Sequence, residues 1–505
     1  MKKNKKTPRP KPRVFQGFRD IFAKDILLKQ KMIETIRKIY EKYGFLPLET
    51  PAIEFVDILG KFLPESSTPQ GGIFSFKNPD LSPNSKKIND EWLALRYDLT
   101  APLARVVAQY QDLQKPFRRY QVGPVWRHEK PGPGRFREFW QFDFDSVGTS
   151  SMAADAEACS IFCETLENLG FQTDEYIVKV NNRKVLQGIL EVCKIDQSGF
   201  SDQDSKTLTV VRAIDKLDRL GVEGVKQLLG KGRKDESGDF TKGAELESWQ
   251  IDNIIEYVNT RVRKRSEVCN QLENLVKDSS TGLKGVEELR QINEFLTALG
   301  FNEDKVEFDP FIVRGMGYYT GPVYEGVLTK EIKDEKGEVK EIGSVFGGGR
   351  YDDLVKRFTG QQVPATGASI GVDRLLGAIK SLGKIKVRNS TSEVLITVMD
   401  KKKMPRYLQI AQEIRAAGIN TEVFLGKGSI GKQIKYADKQ EIPIALIAGS
   451  DEFEKGEYQL KDLQLGMELS KEVDDRQEWR EKRPAQQSIP KEQLIPKLKE
   501  MLGNL

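Results

Sequence analysis

Residues 119–145, RYQVGPVWRHEKPGPGRFREFWQFDFD, constrain this chain more than any other stretch. Side chains on a strand alternate between faces. In the second half, Phe136, Glu138, Trp140, Phe142 and Phe144 fall on one side, while Arg135, Arg137, Phe139, Gln141, Asp143 and Asp145 fall on the other. In the first half, Arg119, Gln121, Gly123, Val125, Arg127 and Glu129 alternate with Tyr120, Val122, Pro124 and Trp126. Lys130-Pro131-Gly132-Pro133-Gly134 between them is a proline–glycine turn. The pattern predicts a β-hairpin with one aromatic face and one face rich in charge. Such a polar face is either simply wet, as on many one-sided sheets, or the floor of a site.

The rest of the chain narrows that choice. A length of 505 residues suggests roughly three domains. No apolar run approaches the roughly 20 residues that span a bilayer, and the mean hydropathy is −0.50. The start, MKKNKKTPRPKPR, is basic but lacks the apolar segment of a signal peptide, so we expect a solvated tail that could touch nucleic acid. Net charge is only +5, from 80 basic and 75 acidic residues, which allows a local surface for an anionic partner without demanding one. Cys159 and Cys163 share a helical pattern and, with Cys193 and Cys269, form no CxxC pair, so core thiols in a reducing cytoplasm are expected. There is one histidine, His128, which leaves no basis for a histidine metal site or a Ser–His–Asp triad.

In chain order, a helix is expected over about 23–43, with Ile26, Leu27, Met32, Ile33 and Ile36 apolar and Gly44 as its stop. A strand containing Pro51 follows, and proline suggests an edge or interface. In RYDLTAPLAR, Arg96, Asp98 and Thr100 alternate just before a helix that opens near Ala101-Pro102. They either hold an amino group or hydroxyl, or Thr100 merely caps the helix. Helix-favouring, charged sequence dominates about 183–300, with basic runs at 231–234 and 261–265 that are either solvated or nucleic-acid-facing. Strands resume in VRGMGYYTGPVYE, where Arg314, Tyr318 and Tyr319 stand among glycines, followed by GGGRYDDL and by GASIGVDRLL, a strand running into a helix with Arg374 in its first turns. That arginine is suited to a phosphate or carboxylate.

From about residue 390 the pattern changes to β-α-β-α-β, a small and mostly parallel α/β domain. Its Gly426-Lys427-Gly428-Ser429-Ile430-Gly431-Lys432-Gln433 fits G-x-G-x-x-G and nearly fits a phosphate loop, but Gln433 replaces the Mg²⁺-binding hydroxyl. The segment is also too short for a full dinucleotide fold. A loop whose amides and lysines meet an RNA backbone fits it better.

Taken together, LPLETPAIE, VWRHE…GRFREFWQ and GASIGVDRLL resemble motifs 1, 2 and 3 of the class II aminoacyl-tRNA synthetases. VRGMGYYTGPVYE, GGGRYDDL and RYDLTAPLAR are similar to the diagnostic segments of the histidyl-tRNA synthetase family. The resemblance covers residues 17 to about 465. It implies an α+β multidomain protein: a class II antiparallel-sheet catalytic core with a helical insertion, and a C-terminal α/β anticodon-binding domain. The implied division is a basic tail (1–15), core (16–182), insertion (183–303), core (304–386) and anticodon-binding domain with tail (387–505).

The implied reaction joins L-histidine to tRNA(His) through histidyl-adenylate, using ATP and Mg²⁺ with no dedicated protein metal site, in a cytoplasmic homodimer. The resemblance gives Arg127 the α-phosphate, Glu129 the adenine amino group, Phe139 one adenine face, and Arg374 the other face and the γ-phosphate side; Arg135 joins the ATP set. Arg314 is implied to contact both the histidine carboxylate and the α-phosphate. Asp98 and Thr100 are implied to take the α-amino group, Gln141 to lie near the carboxylate, and Asp145, Tyr318 and Tyr319 to read the imidazole. Gly132 and Arg137 are implied at the tRNA acceptor end. The chain departs from many relatives at Met316-Gly317, where they have Leu-Asp, and at Gly132, where they have Gln. The second departure suggests weaker dependence on the extra 5′ guanosine of the tRNA. The alternative within the resemblance is a non-catalytic regulatory subunit of histidine biosynthesis, but such paralogues usually lose the catalytic arginines and the C-terminal domain, both present here.

Overall fold

The computed structural model describes residues 9–59, 72–81, 92–132, 134–195, 206–234, 238–260, 262–312, 319–331, 343–469 and 485–503. It divides into two compact units, residues 1–20 with 31–385 and residues 21–30 with 386–505.

The first unit is built on an eight-stranded sheet, ordered Leu46–Pro47, Phe117–Trp126, Glu138–Val147, Ala365–Gly371, Ser344–Arg350, Pro322–Leu328, Tyr176–Asn182 and Val306–Phe308. The pairs between its middle six strands are antiparallel. Only the two outermost pairs are parallel.

The expected hairpin forms the centre, and its aromatic face is core. Phe142 and Phe144 are buried, and Tyr40 of the helix Ala23–Lys42 lies edge-on to both, at centroid distances of 4.8 and 4.9 Å. That helix buries Leu28, Met32, Ile36, Ile39 and Tyr40 along one stripe, while Ile26 is exposed. The buried stripe thus lies slightly to one side of the expected one. Cys159 and Cys163, on the helix Ala153–Asn168, are fully buried and free, as are Cys193 and Cys269.

Three expectations need correction. The Pro51 segment is not one strand: Leu46–Pro47 joins the main sheet, and Ile53–Phe55 joins a separate three-stranded sheet with Trp92–Leu95 and Ser75–Lys77. Prolines 47 and 51 lack the N–H groups that one continuous ladder would need. Arg265 is no surface cation. It is 2% exposed and donates to Asn293 Oδ1, the Val306 carbonyl and the Phe301 carbonyl, each at 2.8 Å. The 231–234 run also differs from the helical pattern around it, because Gly232–Lys234 pairs with Phe240–Lys242 in a small hairpin. Otherwise the described residues of 183–300 are mainly helical. Its Arg183–Val192 and Ser280–Ala298 helices approach so closely that a Cβ on Gly188 would lie 2.5 Å from the Gly282 Cα.

The second unit has a sheet ordered Thr421–Val423, Val394–Ile396, Ile444–Ile447, Glu457–Asp462 and Gln486–Pro490. The first three strands are parallel, as the β-α-β-α-β pattern predicts. The last two are antiparallel additions that the pattern did not reveal. Gln433, in the phosphate-loop look-alike, is 2% exposed: its side chain accepts from the Val398 amide (2.8 Å) and donates to the Val398 (2.9 Å) and Gly428 (3.2 Å) carbonyls. Its role is to pin the loop to the sheet.

Candidate active site

The strand register assembles the site's floor. Across the hairpin, Arg119 faces Asp145, Gln121 faces Asp143, Gly123 faces Gln141, and Val125 faces Phe139. On the other flank, Gly367, Ser369 and Gly371 face Asp145, Asp143 and Gln141. The polar rows of strands distant in sequence therefore merge into one surface, walled by the glycine-rich strand Ser344–Arg350.

Above it opens a cavity of about 510 Å³. Arg127, Glu129, Arg135, Phe139, Gln141, Tyr319 and Arg374 all line it, so the hairpin, the strand–helix motif and the glycine-rich segment meet as expected. The Arg127 guanidinium carbon lies 4.2 Å from the Tyr97 ring centroid and 5.1 Å from that of Phe139, and its Nε donates to the Tyr97 carbonyl at 3.4 Å. Two π faces thus orient the cation. The Tyr97 hydroxyl donates to Glu129 at 3.2 Å. Tyr97 belongs to RYDLT and was not singled out in the sequence, although the alternation there already set it opposite Arg96 and Asp98. Arg374 donates to the Ser344 carbonyl at 2.8 Å, which holds it along the glycine-rich wall. Gln141 donates to Ser369 Oγ at 2.6 Å.

Asp98, Thr100 and Asp145 are not in the cavity lining. Asp98 accepts from the amides of Thr100 (3.1 Å) and Ala101 (2.8 Å) at the start of the helix Thr100–Gln109. The capping side chain is therefore Asp98, not Thr100. Asp145 is 2% exposed, ion-paired with Arg119 at 2.6 Å and hydrogen-bonded by the Tyr351 hydroxyl. It sits in the floor rather than on its surface.

Two residues depart from simple alternation because the second strand begins only at Glu138. Phe136, expected on the aromatic core face, lines the cavity. Arg137 turns away from it, donating to the Glu129 carbonyl at 2.9 Å. Gly132 is exposed and shares a bridge with Arg135 at the turn. Arg314 and Tyr318 lie outside the described residues, as do Met316 and Gly317.

Asp143 is the floor residue that sequence reasoning passed over. It is 1% exposed and faces Ser369 across the strand pair, but neither carboxylate oxygen has a well-formed hydrogen bond among the described residues. Burial pushes its carboxyl up to about 7; Arg119 opposes that rise and Asp145 adds to it. Burial likewise raises Asp145, against the pull of Arg119.

Comparison with known proteins gives the family. The family model described as histidyl-tRNA synthetase matches residues 17–375. The one described as anticodon binding domain matches residues 393–501. The chain is 49% identical over 520 residues to a histidine–tRNA ligase of Roseobacter denitrificans, covering 100% of this chain and 99% of that one. It is 49% identical over 505 residues to the histidine–tRNA ligase of Rhizobium leguminosarum bv. trifolii, covering 99% and 97%. The crystal structure of histidyl-tRNA synthetase from Nostoc sp. PCC 7120 aligns with a TM-score of 0.74 at 29% identity, covering 97% of this chain and 100% of that one. On the evidence of its sequence and its fold, this chain belongs to the histidyl-tRNA synthetase family.

Proposed function

We propose that the cavity between the hairpin and the Arg374 helix is where this enzyme forms histidyl-adenylate. The enzyme is a histidine–tRNA ligase, a class II aminoacyl-tRNA synthetase that uses ATP, with histidine and tRNA(His) as its substrates. The anticodon-binding domain at 393–501 favours this over a regulatory subunit. The observation that carries the site assignment is the convergence of Arg127, Glu129, Arg135, Phe139, Gln141, Tyr319 and Arg374 on one cavity.

A histidine carboxylate oxygen attacks the α-phosphorus, the α–β phosphoanhydride bond breaks, and pyrophosphate departs with its electron pair. The carboxylate needs no general base, so placement and charge stabilisation dominate. In this reading Arg127 meets the α-phosphate, and the π contacts that fix its plane reduce the reorganisation needed when charge develops. Phe139 offers a face to adenine, Glu129 accepts from its amino group, and Arg135 and Arg374 neutralise the triphosphate. Gln141 lies near the histidine carboxylate, with Arg314 completing the contacts between it and the α-phosphate. Tyr319 and Tyr318, with Asp145 held by Arg119, are read as recognising the imidazole, and Asp98 and Thr100, although outside the cavity lining, as receiving the α-amino group. Buried polar partners of this kind can discriminate by about 10⁴–10⁵ without editing.

Mg²⁺ would enter with the triphosphate. It keeps several waters and takes one or two carboxylates, a demand that Glu325 on the cavity wall fits. Residues 183–303 are read as an inserted domain, and Gly132 and Arg137 as neighbours of the tRNA acceptor end. Equal charging of transcripts with and without the extra 5′ guanosine would support weak dependence on it; a hundredfold loss without it would refute that. The working form is read as a cytoplasmic homodimer joined through motif 1 and the residue after it, where Leu46 (65%), Ile53 (46%) and Phe55 (39%) are exposed. The site assignment is tested by Arg127→Ala, which should slow histidine-dependent pyrophosphate exchange by about 10²–10³; an unchanged rate would reject it.

A further inference from the structure

The residues just before the first helix are tied closely to motif 2. The Arg137 amide donates to the Gly17 carbonyl at 2.9 Å, and its guanidinium reaches the Gln16 carbonyl at 3.4 Å and stands 5.3 Å from the Phe15 ring centroid. Gly17 has φ +86°, and a Cβ there would come within 2.8 Å of the Arg137 side chain, so the turn strongly favours glycine. Phe15 and Phe18 pack on Phe74 at centroid distances of 6.4 and 5.8 Å.

This anchored turn delivers Arg19 to two partners. Its guanidinium carbon lies 3.7 Å from the Phe136 ring centroid, and the same group forms an ion pair with Asp373. The other Asp373 oxygen accepts from the Trp140 amide at 2.7 Å. Phe136 and Asp373 both line the cavity, and each is the immediate neighbour of an arginine that does so too, Arg135 and Arg374.

We propose that Arg19 is a positioning residue for the adenylation site: it ties motif 2, through Phe136, to motif 3, through Asp373, and so fixes the spacing of Arg135 and Arg374. The proposal rests on the reading that these two arginines meet ATP. Arginine suits the task because one planar cation can lie on a ring and pair with a carboxylate together; lysine keeps the charge but loses the plane. The Arg19 side chain is 37% exposed. A pair open to solvent on one side contributes little to global stability, so removing it should loosen the site and leave the fold intact.

The test is steady-state pyrophosphate exchange on the full-length enzyme, with thermal unfolding alongside. Arg19→Ala should raise the ATP KM about tenfold, a fraction of the roughly hundredfold loss that an ångström of misplacement can cause. The histidine KM should stay within about twofold and Tm nearly unchanged. Asp373→Asn should act in the same direction, Arg19→Lys should be intermediate, and the double variant should be no worse than the more severe single, because both break one link. Should Arg19→Ala fail to fold, the lysine and asparagine variants still decide the matter. An unchanged ATP KM in Arg19→Lys and Asp373→Asn, additive effects, or a parallel rise of both KM values would overturn the proposal alone. Absence of histidine-dependent exchange in the unaltered enzyme would instead overturn the cavity assignment on which it rests.

Discussion

Asp143 carries a burial cost that Arg119 and Ser369 only partly offset. A carboxyl raised to about 7 when folded, against an ordinary value of 3.8, binds its proton more tightly in the native state. Its contribution to stability is therefore fullest at low pH and is lost as pH rises from about 4 to about 7. Asp143→Asn should match the wild type below about pH 4 and exceed it in unfolding free energy at pH 8, by an amount on the order of 1–3 kcal/mol, the usual cost of a poorly satisfied buried polar group. Chemical denaturation at the two pH values checks this, and a gap that shrinks with pH would contradict it. The alternation of residues 135–145 did place Phe139, Gln141 and Asp145 on the polar side, but it could not show which would be sealed. Asp143 faces Ser369, and Asp145 faces Gly367, on a strand far away in sequence. Phe136 was misjudged for a related reason: alternation holds only where a strand exists, and this one starts two residues later.

At the scale of elements, the glycines of Ala365–Gly371 set how deep the floor lies. A Cβ at Gly367 would stand 2.1 Å from an Asp145 oxygen, and 2.6 Å from the Phe144 carbonyl. The backbone cannot yield, so Gly367→Ala should push the Asp145 carboxylate away from Arg119. We expect a loss of histidine affinity of tenfold or more, in keeping with the effect of misplacing a site residue, together with about 1–3 kcal/mol of destabilisation from overpacking. Isothermal titration with histidine measures the first effect; unchanged affinity would count against a role for Asp145 in reading the substrate. Long periodic helices and the hairpin were legible because period and turn chemistry are local. The break in the Pro51 segment, the burial of Arg265 and the inward turn of Gln433 were not, since each depends on partners supplied by other elements.

For the whole molecule, the order of motifs conveyed the class II core, whereas the antiparallel strands that finish the second sheet, Glu457–Asp462 and Gln486–Pro490, left no clear pattern. The exposed residues in and just after motif 1 lead to a prediction at the same scale: sedimentation at micromolar concentration should show a dimer, and Phe55→Glu should shift it toward monomer with loss of exchange activity. A wild-type monomer would refute that assembly. The central claim, that this cavity activates histidine, is tested most directly by ATP–pyrophosphate exchange with each of the amino acids supplied in turn. The account predicts exchange with histidine alone, slowed about 10²–10³-fold by Arg127→Ala or Arg314→Ala; no exchange with histidine, or equal exchange with another amino acid, would contradict it.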